Sequence, residues 1–169
     1  MNTQDELVLS DLSRDGEPGW RPFSDRVMGG ISQEQASLTT IEGRRCVRLQ
    51  GEVRLENNGG FIQLALDLQT RGAPLDACTY TGVRLLVWGN GEEYLVHLRT
   101  RDTRLPWQLY RAPFVAGAIW QTLDLPFDAF RPERLAQPLE RRSLTRLGVV
   151  AYGRRFLADV AVARVALYG

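Results

Sequence analysis

The chain has 169 residues, a net charge of +1 and 44% hydrophobic residues, which is the composition of a globular domain with its own core. Its balanced charge disfavours a dedicated nucleic-acid binder, because such proteins concentrate cations against phosphates. All 21 basic residues are arginine, which excludes Schiff-base lysine chemistry and lysine-dependent phosphate loops. A single histidine, His97, argues against ordinary zinc sites. We therefore expect no cofactor and no metal.

The cysteines and the N-terminus indicate the compartment. Cys46 and Cys78 form no CxxC pair, so we expect two buried, reduced thiols. The polar, acidic start of the chain does not have the pattern of a signal peptide, and no stretch approaches the roughly 20 apolar residues of a membrane-spanning helix. The sequence predicts a cytoplasmic protein without a transmembrane segment.

Apolar and polar residues alternate along most of the chain after Ile31, which is the pattern of half-buried strands. Glu42-Gly43 predicts a hairpin, and so does Asn90-Gly91, because Asn and Gly both accept positive φ. The strands of these two hairpins are predicted at 36–41 and 46–55, and at 83–88 and 93–100. Further strands are predicted at 61–68, 107–114, 118–125, 147–152 and 158–168.

The last predicted strand changes its phase of alternation. Val160 and Val162 share one face of the strand, and Val165 and Leu167 share the other, so we expect a β-bulge between the two pairs. Residues 132–146 are interrupted by Pro138 and predict an irregular crossover. Because no helix is long enough to connect parallel strands, the sequence predicts an all-β, antiparallel, jelly-roll-like sandwich, with a single domain over residues 1–169.

Two glycine-rich segments separate the strands and place paired glycines beside Asp, Arg or Asn. The first glycine-rich segment is Trp20–Ser32, WRPFSDRVMGGIS, and the second is Gly51–Phe61, GEVRLENNGGF. Together they resemble the complex I intermediate-associated protein family, which is named for assembly factors of NADH:ubiquinone oxidoreductase. The matching positions are Asp25, Arg26, Val27, Met28, Gly29, Gly30 and Ser32 in the first segment, and Asn58, Gly59, Gly60 and Phe61 in the second.

The resemblance continues through 82–100, 110–114 and 120–130. It implies a galactose-binding-like β-sandwich, similar in layout to some carbohydrate-binding modules. It also implies a non-enzymatic, chaperone-like assembly factor with a protein client, for which a respiratory-complex subunit is the analogue. Arg154 and Arg155 stand where the family pattern has Gly-Pro before Phe156, so no function of that loop is carried over.

The candidate contact residues lie in the two glycine-rich segments. Asp25 and Arg26 could clamp a ligand, although an internal ion pair or a turn-capping network that fixes the loop is the favoured interpretation. Asn57 and Asn58 could bind a ligand or stabilise a turn. Gly29, Gly30, Gly59 and Gly60 are expected to be structural, with at least one glycine of each pair at positive φ. The full set of candidate binding residues is Trp20, Phe23, Asp25, Arg26, Met28, Asn57 and Asn58.

Three functions remain open from the sequence. A protein-binding assembly factor would use an apolar patch that includes Phe23, Val27 and Met28. A carbohydrate-binding module would stack aromatic rings on a sugar, although we expect Trp88, Trp107 and Trp120 in the core and His97 in a structural role. A small hydrolase could draw on the carboxylates of Glu56, Asp67 and Asp102, none of which has a distinguishing context.

Overall fold

A computed structural model of the protein describes residues 5–14, 19–69 and 71–169. Twelve strands and several short 3₁₀ turns, but no α-helix, are found within these residues. The strands are β1 (Glu6–Asp11), β2 (Trp20–Ser24), β3 (Gln33–Ile41), β4 (Arg44–Val53), β5 (Phe61–Asp67), β6 (Gly82–Gly89), β7 (Glu93–Thr100), β8 (Leu109–Val115), β9 (Gln121–Pro126), β10 (Arg131–Glu133), β11 (Leu144–Tyr152) and β12 (Phe156–Tyr168).

The strands form two antiparallel sheets that face each other across the core. The first sheet has the order β3-β4-β12-β6-β9, and β1 also pairs with β12. The second sheet has the order β10-β8-β7-β11-β5-β2. The predicted all-β sandwich is therefore confirmed.

Strand β7 shows how alternation divides the core from the outer surface. Tyr94, Val96 and Leu98 are fully buried within the core cluster. His97 and Arg99, in the opposite phase, line a groove on the outside of the second sheet. The alternation predicted for this strand places these residues correctly.

The β3–β4 hairpin and the bulge in β12 are both confirmed. Glu42 and Gly43 connect β3 to β4 with φ values of 48° and 78°. The pairing of β12 with β6 shifts register between Val162 and Arg164. Each feature has a local cause that the sequence shows directly, namely a turn dipeptide and a change of phase.

The predicted hairpin at Asn90-Gly91 is wrong. Strand β6 belongs to the first sheet and β7 to the second, so the connection crosses the sandwich and does not close a hairpin. Gly91 does have a positive φ of 88°. The Asn90 side chain donates to the Leu157 carbonyl at 3.0 Å and accepts a hydrogen bond from the Tyr94 hydroxyl. These contacts hold the crossover in place.

Both edge strands of the second sheet contain proline. Pro22 lies within β2 and Pro132 within β10, and each of these strands has a neighbour on one side only. Proline lacks the N–H that an additional strand would need, so both edges are poor templates for further pairing.

Three strands, β1, β2 and β10, were not predicted from the sequence.

The two cysteines differ in their exposure. Cys46 and Cys78 are both free, but only Cys46 is buried, and the exposed Cys78 corrects the expectation of two buried thiols. Burial raises the pKa of the Cys46 thiol.

Within the described ranges, no helix has the length and apolar character needed to cross a membrane.

Candidate binding groove

The carboxylate of Asp25 joins the two glycine-rich segments. Asp25 begins a 3₁₀ turn, Asp25–Met28, and is fully buried. The Ser32 backbone N–H donates to Oδ1 of Asp25 at 2.9 Å, and the Ser32 hydroxyl donates to Oδ2. The backbone N–H groups of Gly60 and Phe61 also donate to Oδ2. The acid is therefore the common acceptor for donors from both segments.

Asp25 remains ionised although it is buried. Burial raises the pKa of its carboxyl, but the hydrogen bonds from Ser32, Gly60 and Phe61 outweigh burial and bring the pKa below its usual range. The negative charge is stabilised by a hydroxyl and by main-chain N–H groups.

The four signature glycines serve two different purposes around this carboxylate. Gly29 and Gly60 have φ values of 87° and 129°, which confirms that each pair has a member at positive φ. A Cβ atom on Gly30 would lie 2.5 Å from Oδ1 of Asp25, and a Cβ on Gly59 would lie 2.5 Å from Oδ2. Gly30 and Gly59 are thus needed because the backbone closes tightly on Asp25.

Of the two forms of the favoured structural interpretation, the ion pair between Asp25 and Arg26 is wrong, whereas Asp25 does hold a network of hydrogen bonds that fixes the loop. Arg26 is exposed, and the ion pairs of the described residues do not join it to Asp25. The physical reason is that Ser32 and the main chain already satisfy the carboxylate. Asn57 has a left-handed φ of 59° and its Nδ2 donates to the Gly29 carbonyl at 3.2 Å, so it too connects the segments.

The other candidate contact residues have different positions. Trp20 is only 8% exposed and its Nε1 donates to the Ser10 hydroxyl at 3.0 Å, so the indole belongs to the core and not to a contact surface. Phe23 is partly buried and lines the groove. The side chains of Met28 and Asn58 lie outside the described part of the structure.

The groove lies on the outer face of the second sheet and has a volume of about 1080 Å³. Its described lining is rich in arginine and aromatic residues. The charged residues are Arg99, Arg101, Arg111, Arg134, Arg146, Asp67 and Glu133, and the aromatic residues are Phe23, Phe61, Trp107, Tyr152 and the imidazole His97.

His97 forms part of the floor of the groove. It lies opposite Gly148 on β11 and opposite Arg111 on β8, while Gly148 in turn lies opposite Ala65 on β5. A Cβ atom on Gly148 would lie 2.8 Å from Oε1 of Gln63, so the Gln63 side chain covers this glycine. The centroid of the imidazole is 6.2 Å from that of the Tyr152 ring. The His97 side chain is 8% exposed, and its Nε2 has no hydrogen-bond partner among the described residues.

The imidazole of His97 is neutral at physiological pH. Burial is the main cause that lowers its pKa to about 3, and the positive charges of Arg111 and Arg99 act in the same direction. The groove therefore has a neutral imidazole at its floor and cationic groups around it.

Both acidic side chains of the groove are engaged with arginine. Asp67 accepts from Arg21 at 2.6 Å and from Arg146 at 3.1 Å. Glu133 lies 3.2 Å from Arg111. These pairs hold arginine side chains against the sheet and orient them.

Arg99 holds the loop that forms one wall of the groove. Its guanidinium donates to the carbonyls of Thr103 and Pro106 at 3.0 Å, and to that of Leu105 at 3.1 Å. Trp107 follows in the same loop and is 53% exposed, contrary to its expected place in the core. An exposed indole at the rim of a polar groove is a typical contact residue.

The Asp25 network and the groove meet at Phe61. Phe61 donates its backbone N–H to Asp25, and its ring packs edge-on against Phe23 at a centroid distance of 6.4 Å. Both rings line the groove. The two glycine-rich segments therefore position one end of the groove, while most of its lining comes from other strands.

The departure from the family pattern lies close by. The Gly153 backbone N–H donates to the Gly60 carbonyl at 2.8 Å, so this turn is tied to the second glycine-rich segment. Arg154 pairs with Glu92, and its guanidinium carbon lies 3.8 Å from the centroid of the Phe156 ring. Arg154 thus has structural contacts of its own in the place of the expected Gly-Pro.

Residues 10–154 match the family model of complex I intermediate-associated protein 30 (CIA30). The chain belongs to the CIA30 family. The match includes both glycine-rich segments and every strand that contributes to the groove. Among curated proteins, none matches this CIA30 chain.

Solved structures with the same fold include carbohydrate-binding modules from Clostridium thermocellum and part of an agarase, AgWH50C. The family 11 module of the cellulosomal cellulase Lic26A-Cel5E has a TM-score of 0.75 at 15% identity, over 97% of this chain and 94% of that one. A family 11 module in complex with a β-1,3-1,4-mixed-linked tetrasaccharide has a TM-score of 0.75 at 13% identity, over 98% and 96%. The family 30 module of Cel9D-Cel44B has a TM-score of 0.69 at 14% identity, over 97% of each chain. At such identities the likeness establishes the jelly-roll sandwich of this CIA30 chain and nothing more.

Sequence reasoning did not find most of the groove. His97, Arg111 and Arg146 come from three different strands and have no shared local motif. The register of the second sheet places them together, and the register depends on long-range pairing. The one available signal was the polar phase of β7, which contains both His97 and Arg99.

Proposed function

We propose that this chain is a non-enzymatic assembly factor that holds a protein client in the groove of the second sheet. The family supports a role in assembly, for which a respiratory-complex subunit is the analogous client. The observation that carries the proposal is the strand-built floor of the groove, in which Nε2 of the buried His97 has no hydrogen-bond partner among the described residues. Such an atom is costly to leave without a partner, and a bound ligand would supply one.

The acids of the groove support binding over catalysis. A glycoside hydrolase acts with two carboxyl groups that face the scissile bond. Asp67 is held by Arg21 and Arg146, and Glu133 is held by Arg111. Both carboxylates therefore orient cations and do not face an open space as a free pair.

Glycan binding is a second candidate, and the aromatic rim is the observation that favours it. Trp107 is 53% exposed and Tyr152 is 43% exposed. Flat, exposed rings at a groove can stack on sugar rings as well as on peptide groups. The family 11 module solved with a tetrasaccharide shows that the same fold can hold a glycan in another protein.

Affinity capture with photo-crosslinking distinguishes the two candidates. The tagged protein, with a photo-reactive residue at position 107, is irradiated in an extract of its own host, and the crosslinked peptides are identified by mass spectrometry. We expect one protein client crosslinked at position 107 and absent when the reactive residue replaces exposed Arg45 on the first sheet. Absence of a position-specific protein crosslink, together with binding to a glycan panel, would replace the assembly-factor proposal by the glycan one.

A further inference from the structure

We infer that the groove binds an acidic, extended segment of the client, whose carboxylates contact the arginine side chains and the imidazole of His97. This inference rests on the proposed function, because it names the chemistry of the client segment. It is carried by charge, by the unpartnered atom at the floor and by the two sheet edges.

The charge of the groove differs from that of the whole protein. Five arginines and two carboxylates line it, a formal charge of +3, whereas the whole chain carries +1. The remainder of the chain is therefore net negative. Arg101 and Arg134 are exposed, and neither makes an ion pair within the described part of the chain. These two guanidinium groups are available to a ligand, and guanidinium forks bind carboxylates through two parallel hydrogen bonds.

His97 provides a second and independent indication of a ligand. His97 is more than nine-tenths buried and lines the groove, yet its Nε2 has no hydrogen-bond partner in the described part of the chain. Gly148 lies opposite it, and the side-chain oxygen of Gln63 packs over that glycine. When the proton of the neutral imidazole is on Nε2, that nitrogen donates to an oxygen of the ligand. Arg111 and Arg99 on either side favour an anionic oxygen over a neutral one.

The edges of the sheet argue against another mode of peptide binding. A segment that joined the sheet as an added strand would need the main-chain donors of β2 or β10. Pro22 and Pro132 remove one such donor from each. Side-chain contacts across the face of the sheet remain, and these are the contacts for which arginine is suited. A neutral glycan would leave the positive charge of the groove without a counter-charge.

The test measures the binding of a labelled peptide of alternating Glu and Gly by fluorescence anisotropy at low salt. The matched peptide has Gln in place of Glu, and polygalacturonate and mixed-linkage β-glucan serve as competitors. We expect the Glu peptide to bind at least about tenfold more tightly than the Gln peptide. Binding should weaken as salt increases, because exposed charges are screened.

Variants identify the surface. Arg101→Gln combined with Arg134→Gln should weaken the Glu peptide about tenfold, whereas Arg44→Gln combined with Arg45→Gln should change it by less than about twofold. Both double variants remove two charges, but Arg44 and Arg45 lie on β4 of the first sheet. His97→Phe should weaken binding while the fold is retained, as measured by thermal unfolding. If that variant fails to fold, the comparison of the two arginine double variants still tests whether the groove binds the Glu peptide.

Several results would overturn the inference. Equal weakening by both double variants would mean non-specific attraction to charge. Polygalacturonate that binds through Arg101 and Arg134, without binding of the Glu peptide, would make the ligand an acidic glycan. If the Arg101→Gln, Arg134→Gln protein still crosslinks the client from position 107 as the wild type does, the proposed function stands and the acidic-segment inference fails. If no client is crosslinked and no glycan binds, the proposed function fails, and the acidic-segment inference that rests on it fails with it.

Discussion

Oδ2 of Asp25 accepts a hydrogen bond from the backbone N–H of Gly60, which lies 35 residues further along the chain. The neighbouring N–H of Phe61 donates to the same oxygen. One buried carboxylate thus fixes the relative position of two loops. Phe61 is the first residue of β5 and lines the groove, so the same hydrogen bonds also set the shape of one end of the groove.

Replacement of Asp25 by Asn should destabilise the protein by about 3 kcal/mol, because the amide offers one oxygen where two accepted hydrogen bonds, and its NH₂ group faces other donors. The free energy of unfolding from urea titration measures this loss. Arg26→Ala is the matched control, and we expect a change of less than about 0.5 kcal/mol, since Arg26 is exposed. A similar loss in both variants would restore the ion pair that the sequence favoured.

The paired glycines should differ in their response to alanine. Gly29→Ala places a side chain at φ 87° but in open space, and should cost about 1 kcal/mol. Gly30→Ala drives a Cβ into the Asp25 carboxylate and should cost about 2 kcal/mol or more. The melting temperatures of the two variants, measured under the same conditions, show which substitution costs more stability. Equal melting temperatures would show that the close approach to Asp25 is not required.

His97 should make stability depend on pH in a defined window. Its pKa is about 3 in the folded protein and about 6.5 in the unfolded chain. Between these values the unfolded chain gains a proton that the folded protein does not, so stability decreases as pH falls, by about 1.4 kcal/mol per pH unit at most. In His97→Phe this contribution is absent. The free energy of unfolding is measured by denaturant titration from pH 7 to pH 4 for the wild type and for His97→Phe. Equal slopes of this free energy against pH in the two proteins would contradict a buried, neutral His97.

Two tryptophans should respond in opposite ways to truncation. Trp20→Ala removes a core side chain and should cost about 3–5 kcal/mol. Trp107→Ala should change stability by less than about 0.5 kcal/mol, because the indole is 53% exposed, and should weaken capture of the client. Melting temperatures and capture yields are measured on the same preparations. A stable Trp107→Ala protein that captures its client normally would remove Trp107 from the contact surface.

The sequence was sufficient for the fold class because alternation and turn chemistry are local. The spacing of Tyr94, Val96 and Leu98 alone predicts the buried face of β7, and the dipeptide Glu42-Gly43 predicts the hairpin between β3 and β4. Asn90-Gly91 carries the same local signal, yet its flanking strands join different sheets. The partners of β6 are β12 and β9, and the choice of these partners over β7 depends on packing across the sandwich that no dipeptide encodes.

The contrast between what local sequence predicts and what long-range packing decides is larger for the groove than for the fold. The resemblance led to the two glycine-rich segments, and Asp25 and Gly30 within them turn out to build the fold. His97 and Trp107, which the sequence assigned to structural roles, line the groove. A residue type indicates what a side chain can do, but its surroundings are decided by neighbours from other strands, such as Arg111 and Gly148 on either side of His97.

The prolines at the sheet edges have a consequence for how long a complex lasts. A strand added to an edge dissociates only after a row of main-chain bonds breaks. With Pro22 and Pro132 in the two edges, a client in the groove would depend on side-chain contacts that ions and competing carboxylates can displace one at a time. The proposed assembly factor would have to release its client once the mature complex offers better contacts, and side-chain contacts of this kind would lower the barrier to release.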